Sequence, residues 1–377
     1  MNKKRMFLIP CIAGFVFVFV GYMADVSFAT ISGECSNCHT MHNSQGRSPM
    51  ATYGDPSEPW TGEGPYSLLT RGDCLGCHGM GTGNRIETIN GSDIPQVYHQ
   101  DIVDLAGGNF AYITGVKGSG ASDAKGHNVI DLGPGRLEGT ILEDPPGGHG
   151  PNPNIFTCAG HGGCHGYRND ESGLASLKGA HHRNVDGKCD IADEVYNSYR
   201  FLKYIKGLEN PIDDWENVNS TSHNEYYGET TPALSNFPNP CSSCHDMGNE
   251  ELRPPSSTIS GFCASCHGNF HAVSGIGGDS VSPFTRHPTD IVLKGTGEYA
   301  AYTNYNVIAP VGRTTVPDTP SDTVTPGTDV VTCLSCHGAH ATDYPDLLRW
   351  DYTGMIAGGG GDDGNGCFVC HTTKDDS

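Results

Sequence analysis

The sequence of 377 residues has little apolar material and little positive charge. Only 36% of its residues are hydrophobic and 8% aromatic, and 22 Lys and Arg stand against 43 Asp and Glu. The formal net charge of −21 makes nucleic acid an unfavourable partner, because its phosphates attract basic proteins. Gly (52) and Pro (24) are abundant instead, and regular hydrophobic periodicity is rare. Such a chain cannot build a large core from its own side chains.

Long apolar stretches are also lacking after the first 29 residues. A basic stretch at 2–5, an apolar run from Met6 to Met23 and small residues ending at Ala29 form the pattern of a signal peptide. An uncleaved membrane anchor is the alternative, since the run is just long enough to span a bilayer. We expect residues 1–29 to be removed, leaving no stable membrane span. The protein is then secreted through the periplasm to the cell surface or the extracellular space.

The sequence is rich in cysteine pairs that are followed directly by histidine. Seven such motifs occur: Cys35-Cys38-His39, Cys74-Cys77-His78, Cys158-Cys164-His165, Cys241-Cys244-His245, Cys263-Cys266-His267, Cys333-Cys336-His337 and Cys367-Cys370-His371. With two residues between the cysteines, both sulfurs lie on one turn and can bond the two vinyl groups of a porphyrin, whose iron the histidine ligates. Zinc sites and redox dithiols do not require that histidine. The motifs predict seven covalently bound haem c groups.

The third motif departs from this spacing, with five residues between Cys158 and Cys164. A metal-free or disulfide-bonded pair is the alternative interpretation. Three glycines in the loop, Gly160, Gly162 and Gly163, would let the longer segment close over a porphyrin edge. We therefore include it among the haem sites.

The expected fold class is a multihaem cytochrome c, in which the haems replace the missing apolar core. Loops and turns should dominate, with a few short helices and minor strands, and the motifs should lie at helix starts. A helix is predicted from Ala192 to Ile205, where acidic residues come early and basic residues late. Short strands are expected around Tyr299 to Val311.

Histidines outside the motifs decide whether each iron has a second axial ligand. Eleven of the 18 histidines lie outside, enough for seven bis-histidine irons. His42, His271 and His340 follow a motif histidine by three or four residues and project from the same side of the backbone. Each must therefore reach a different haem or none.

The remaining candidate ligands lie in polar loops. We expect ligation by His127, His223 and His287, and by at least one of the adjacent His181 and His182. His99, His149 and His161 have no supporting pattern and are left as spare.

Several segments in order resemble the extracellular multihaem cytochromes that polymerise into conductive filaments, the OmcS and OmcE type. They are CSNCHTMHNSQG, GHNV, CAGHGGCHG, GAHH, SYRFL followed by a Trp-Glu pair, HNEY and TISGFCASCHGNFH. They cover about residues 30–275 and correspond to a four-haem core. The resemblance implies that His42 ligates a haem of the neighbouring subunit, so that copies of the chain are partners of one another.

This chain departs from the four-haem pattern in two places. The motif at 241–245 is inserted into the core, and residues 276–377 form a C-terminal extension with two further motifs. The resemblance then suggests a partition. The core irons would take His42, His127, one of His181 and His182, and His223, while His271, His287 and His340 would serve the three additional haems.

The expected function is electron transfer rather than enzymatic catalysis, with redox proteins and extracellular acceptors as partners. A discrete periplasmic or surface carrier without polymerisation is the alternative. A multihaem oxyanion reductase is less favoured, because none of the motifs has lysine in place of histidine. Cys189 lies outside the motifs and is either a tolerated thiol, which we favour, or part of an intersubunit disulfide.

Overall fold

The structure is a computed structural model. It describes residues 31, 33–43, 69–81, 83–89, 91–137, 144–147, 152–169, 173–183, 187–210, 215, 217–231, 253–271, 287–360 and 364–375. The expected signal peptide at 1–29, the motif Cys241-Cys244-His245, His149 and the expected boundary at 275 lie outside the described residues.

The helices are short, as a sequence rich in Gly and Pro favours. The α-helices are α1 (Cys74–His78), α2 (Ala111–Thr114) and α3 (Ile259–Ala264). Single 3-10 turns cover Cys35–Asn37, Asp123–Lys125, Ile130–Gly135, Pro153–Ile155, Ala175–Leu177, Ala180–His182, Val195–Asn197, Tyr199–Phe201, Gly268–Phe270, Gly297–Tyr299, Cys333–Ser335, Pro345–Leu347, Tyr352–Gly354 and Gly366–Val369. Within the described ranges, no helix is long and apolar enough to cross a bilayer.

Among the described residues, the strands are equally short and form three sheets. They are β1 (Ile86–Ile89), β2 (Ser92–Pro95), β3 (Thr157–Ala159), β4 (Gly163–His165), β5 (Lys188–Cys189), β6 (Gly207–Leu208), β7 (Glu225–Tyr227), β8 (Ile291–Val292), β9 (Gly312–Arg313) and β10 (Val330–Val331). β1 pairs antiparallel with β2, and β3 parallel with β4. The third sheet has the order β5-β6-β7-β9-β10-β8. The predicted mixture of loops, short helices and minor strands is confirmed.

The helix predicted from Ala192 to Ile205 is wrong. The segment contains only the 3-10 turns Val195–Asn197 and Tyr199–Phe201. Arg200 and Tyr204 have φ of 51° and 77°, in the left-handed region that a continuous α-helix of L-residues excludes. Tertiary packing overrides the local pattern, because Tyr199 and Ile205 are buried in a core cluster.

The strands expected around Tyr299 to Val311 are also misplaced. A 3-10 turn covers Gly297–Tyr299, and β9 begins only at Gly312. Between them, an isolated antiparallel bridge pairs Asn304 with Thr323. Buried side chains also hold the segment in a cluster that includes Tyr302, Tyr305 and Val311.

Residues on both sides of the expected boundary at 275 share one sheet and common cores. β7 of the N-terminal part pairs parallel with β9 of the C-terminal part, Tyr226 opposite Gly312. Ala341 is buried with Phe110 and Ile113, and Leu334 with Ile259. The C-terminal residues therefore help to build sites in the N-terminal part.

Candidate haem-binding sites

The five regular motifs that the structure describes are tight backbone turns. In four of them the N–H of the motif histidine donates to the carbonyl of the first cysteine: His39 to Cys35 at 2.8 Å, His267 to Cys263 at 2.9 Å, His337 to Cys333 at 3.0 Å and His371 to Cys367 at 3.0 Å. At the second motif, the Asp73 side chain caps α1 by accepting from the N–H of Gly76. Both cysteines and the histidine thus lie on a single turn, as attachment to one porphyrin requires.

The third motif reaches a comparable arrangement through strands. Cys158 lies on β3 and Cys164 on β4, and the parallel pairing sets Ala159 opposite His165. Gly160 and Gly162 have φ of 84° and 80°, which glycine adopts without strain. The longer loop therefore closes without a disulfide.

Five motif histidines face a second imidazole at nearly the same distance. The ring centroids are 6.2 Å apart for His39 with His182, His78 with His181, His267 with His127 and His371 with His287, and 6.3 Å apart for His165 with His340. An iron between two rings contributes two in-line metal–nitrogen bonds of about 2 Å each. With the distance from each ligating nitrogen to the centroid of its ring, the total is roughly 6 Å. Each pair therefore fits an iron between its two rings.

Hydrogen bonds orient the rings so that one nitrogen remains for a metal. Nδ1 of His78 lies 2.8 Å from the carbonyl oxygen of Pro95, and Nδ1 of His267 lies 2.7 Å from that of Pro146. Nδ1 of the non-motif His127 lies 2.8 Å from the carbonyl oxygen of Ala339. An Nδ1–H that donates to a carbonyl leaves Nε2 as the lone-pair donor.

Burial favours the neutral form of several of these imidazoles. It lowers the pKa of His127 and of His181 to about 4 each and that of His340 to about 3, with smaller contributions from neighbouring histidines. Burial also lowers the pKa of His78 and of His165, against the hydrogen bonds to their Nδ1 atoms. Only a neutral imidazole can ligate a metal, so the environment favours the ligating form.

The pairing differs from the partition that the sequence suggested. His340 faces His165 of the third motif rather than serving an additional haem, and His181 and His182 both face motif histidines. His340 follows His337 by three residues, so the sequence predicts that it cannot ligate the same haem as His337. Its position opposite His165 agrees with that expectation. A turn at Ala180–His182 lets adjacent residues reach two different motifs.

His223 lies in a different environment from the paired histidines. Its ring stacks on Tyr305 with centroids 3.6 Å apart, and its Nε2 lies 3.2 Å from Oε1 of Glu225. Arg313 donates to Glu225 at 2.9 Å and forms an ion pair with Asp329. The partition assigned His223 to a core iron, but here it belongs to a buried charge network joining β7 to β9.

The Glu225 carboxyl titrates abnormally within this network. Burial acts to raise its pKa, but hydrogen bonds and charges from His223 and Arg313 outweigh burial and hold the pKa below its usual value. Its contribution to stability is therefore present above the unfolded-state pKa and is lost as the pH falls through the folded-state pKa.

Other histidines have distinct surroundings. His271 is buried, with Nε2 3.7 Å from Sγ of Cys333 and Nδ1 3.6 Å from the Asp290 carboxylate. His42 is exposed and has φ of 54°. His99, left as spare, is buried 3.7 Å from Asp104, and its isolated position in the sequence offered no signal of this burial.

Cysteines of successive motifs lie close together. Cys38 is hydrogen-bonded to Cys77, Cys74 lies within 4.8 Å of Cys158, and Cys263 is hydrogen-bonded to Cys333. Cys164 interacts electrostatically with Cys266, and Cys336 packs in one cluster with Cys367. The six described motifs therefore adjoin one another in chain order.

Asp131 completes a cluster of possible metal ligands with Cys74 and Cys158. The two cysteines come from different CxxCH-type motifs, where covalent attachment to porphyrin would consume both sulfurs. This cluster is therefore better understood as a contact between two haem sites.

Comparison with known proteins agrees with this chemistry. A family model described as a doubled CXXCH motif matches residues 326–376. The match spans the last two motifs of the chain, at Cys333 and Cys367. Curated proteins yield no significant match.

Two solved structures are similar over nearly the whole chain. One is an outer membrane cytochrome S filament from Geobacter sulfurreducens, with 19% identity, a TM-score of 0.46 and coverage of 92% of this chain and 93% of that one. The other is a cryo-EM structure of OmcS nanowires from the same organism, with 18% identity, a TM-score of 0.47 and coverage of 93% and 92%.

Proposed function

We propose that the chain is an exported seven-haem cytochrome that conducts electrons through closely spaced bis-histidine haems to acceptors outside the cell. The observation that carries the proposal is the set of five facing imidazole pairs at 6.2–6.3 Å, linked by contacts between the cysteines of successive motifs. Bound haem iron supplies reversible one-electron chemistry. The residues supply the spacing, because each pair of touching motifs brings two porphyrin edges together.

Two axial imidazoles on each iron favour electron transfer over catalysis. A reductase needs a vacant coordination position for its substrate, whereas facing imidazoles occupy both positions. Among the described motif histidines, His337 is the one without a second imidazole at this distance. We propose that His42 of the neighbouring subunit ligates this iron.

The surroundings of His42 support a subunit contact. Met41 and Leu69 expose 67% and 48% of their surfaces, and the Leu69 carbonyl accepts from the N–H of Thr40, which holds the two apolar side chains near His42. The first site in the haem order would thus meet the last site but one of the next copy. A contact of this head-to-tail type generates a filament when it does not close into a ring. It must also overcome the repulsion between copies of an acidic protein.

The test is electron microscopy and intact mass of protein purified from a host that matures c-type cytochromes. We expect seven haems per chain, filaments in the unsubstituted protein, and loss of filaments in His42→Ala with the haem count unchanged. The control is His161→Ala, since His161 is also exposed and faces none of the described motif histidines.

Each alternative function has a distinct outcome. Filaments that persist in His42→Ala would contradict the proposal that His42 ligates a haem of the neighbouring subunit. The absence of filaments in the unsubstituted protein would favour a discrete carrier. A high-spin ferric signal that remains in assembled protein would favour a reductase. A mass showing markedly fewer haems would contradict the proposal itself.

A further inference from the structure

The third haem site lies between two charged side chains of opposite sign. Asp131 lies on the side that contacts the second motif. Its Oδ2 accepts from the N–H of Cys158 at 3.0 Å and from Oγ1 of Thr157 at 2.6 Å, and a carboxylate oxygen lies within 4.8 Å of the sulfurs of Cys74 and Cys158. The anion is therefore held where the second and third sites meet.

Arg168 lies on the opposite side, where the third motif contacts the motif at Cys263. Only 5% of Arg168 is exposed. It donates to Oγ of Ser265 at 2.9 Å, and its second terminal nitrogen lies 3.9 Å from Sγ of Cys266. Arg168 also interacts electrostatically with Cys164 of the third motif, so its charge acts on both sites.

Among the described residues, no cation pairs with Asp131 and no carboxylate pairs with Arg168, whose buried Nε lacks a hydrogen-bond partner. The Arg168 guanidinium instead lies over the Phe262 ring, 5.1 Å from its centroid. Arg168 is buried and Asp131 is half-buried, so water screens both charges less than it screens exposed ones, and they act over longer distances.

We infer that Asp131 and Arg168 create a potential step along the proposed haem chain, an inference that rests on the proposed function. Reduction adds one negative charge to a haem. A nearby carboxylate therefore lowers the reduction potential and a nearby guanidinium raises it. The site at Cys74 is made the poorer electron acceptor and the site at Cys263 the better one, with the third site between them. Electrons are favoured to reside on the C-terminal side of the third site.

Potentiometric titration of the full-length haem-loaded protein, followed by visible spectroscopy, tests the inference. Arg168→Met should lower the reduction potential of at least one haem by about 59 mV or more. For a one-electron couple, that shift is a tenfold change in the reduction equilibrium constant. Asp131→Asn should move a component to higher potential. Arg168→Lys, which keeps the charge, should titrate close to the unsubstituted protein.

The outcomes separate this inference from the proposed function. Full haem content with superimposable titrations, or shifts of the same sign in both charge-removing variants, would overturn the potential step and leave electron transfer standing. A purified protein without haem would contradict the proposed electron-transfer function as well. If Arg168→Met fails to accumulate, Asp131→Asn decides alone, since asparagine is nearly isosteric and still accepts the hydrogen bond from Cys158.

Discussion

Replacing His340 by alanine tests the pairing of two histidines that lie far apart in the sequence. The rings of His340 and His165 have centroids 6.3 Å apart, so an iron midway would lie about 3 Å from each centroid, one bond length from each Nε2. Alanine offers no donor atom. The iron bound to His165 should then lose its sixth ligand, while the covalent attachment through Cys158 and Cys164 remains.

The substitution is expected to change the spin state and ligand binding of one haem out of the proposed seven. In the oxidised protein, electron paramagnetic resonance should show one haem equivalent changing from low-spin to high-spin, and the reduced protein should bind one equivalent of carbon monoxide. The matched control is His161→Ala, because His161 lies in the loop of the same motif but is exposed.

Two results would refute the reasoning. The first is a His340→Ala protein that keeps its full haem content and remains entirely low-spin, which would mean that another group ligates this iron. The second is an equal high-spin fraction in His161→Ala, which would mean that disturbing the loop, and not removing a ligand, exposes the iron.

The remaining predictions concern stability and assembly. Arg313→Met should lower the free energy of unfolding by about 3–5 kcal/mol in urea denaturation at neutral pH, since it leaves Glu225 buried without its cation. The loss should shrink as the pH falls and the carboxyl is protonated, and a pH-independent loss would contradict this cause. Gly108→Ala should cost about 2–4 kcal/mol, because φ is +87° and a Cβ would lie 2.0 Å from a backbone oxygen. Gly83→Ala is its control, with φ of +92° and open space around the Cβ, and equal costs would be evidence against the steric explanation. Cys189→Ser should leave the oligomeric state unchanged in non-reducing electrophoresis, because Cys189 is 1% exposed; a lost covalent dimer would contradict this.

Local features of the molecule could be predicted because they depend on residues that are neighbours in the sequence. The cysteines and histidine of each described CxxCH motif lie on one turn, because that geometry depends only on the few residues of the motif. The glycines around Gly160 likewise close the third motif for a local reason, namely their access to positive φ. The scarcity of apolar residues led in the same way to the prediction of loops and short helices.

Contacts between distant segments could not be predicted, because they depend on the path of the whole chain. The partition gives His340 to one of the three additional haems, yet packing of Ala341 against Phe110 and Ile113 brings it to His165. The ring of His223 is held by Tyr305 and a buried carboxylate, neither of which the polar loop around it suggested.

The sequence by itself therefore determined the chemistry of attachment, the scarcity of regular structure and the pool of candidate ligands. Only the tertiary structure decided which two imidazoles face each other, which motifs touch and which charges lie between them. The physical reason is that covalent attachment requires a few adjacent residues, whereas an axial pair or a buried charge is created when remote parts of the chain pack together.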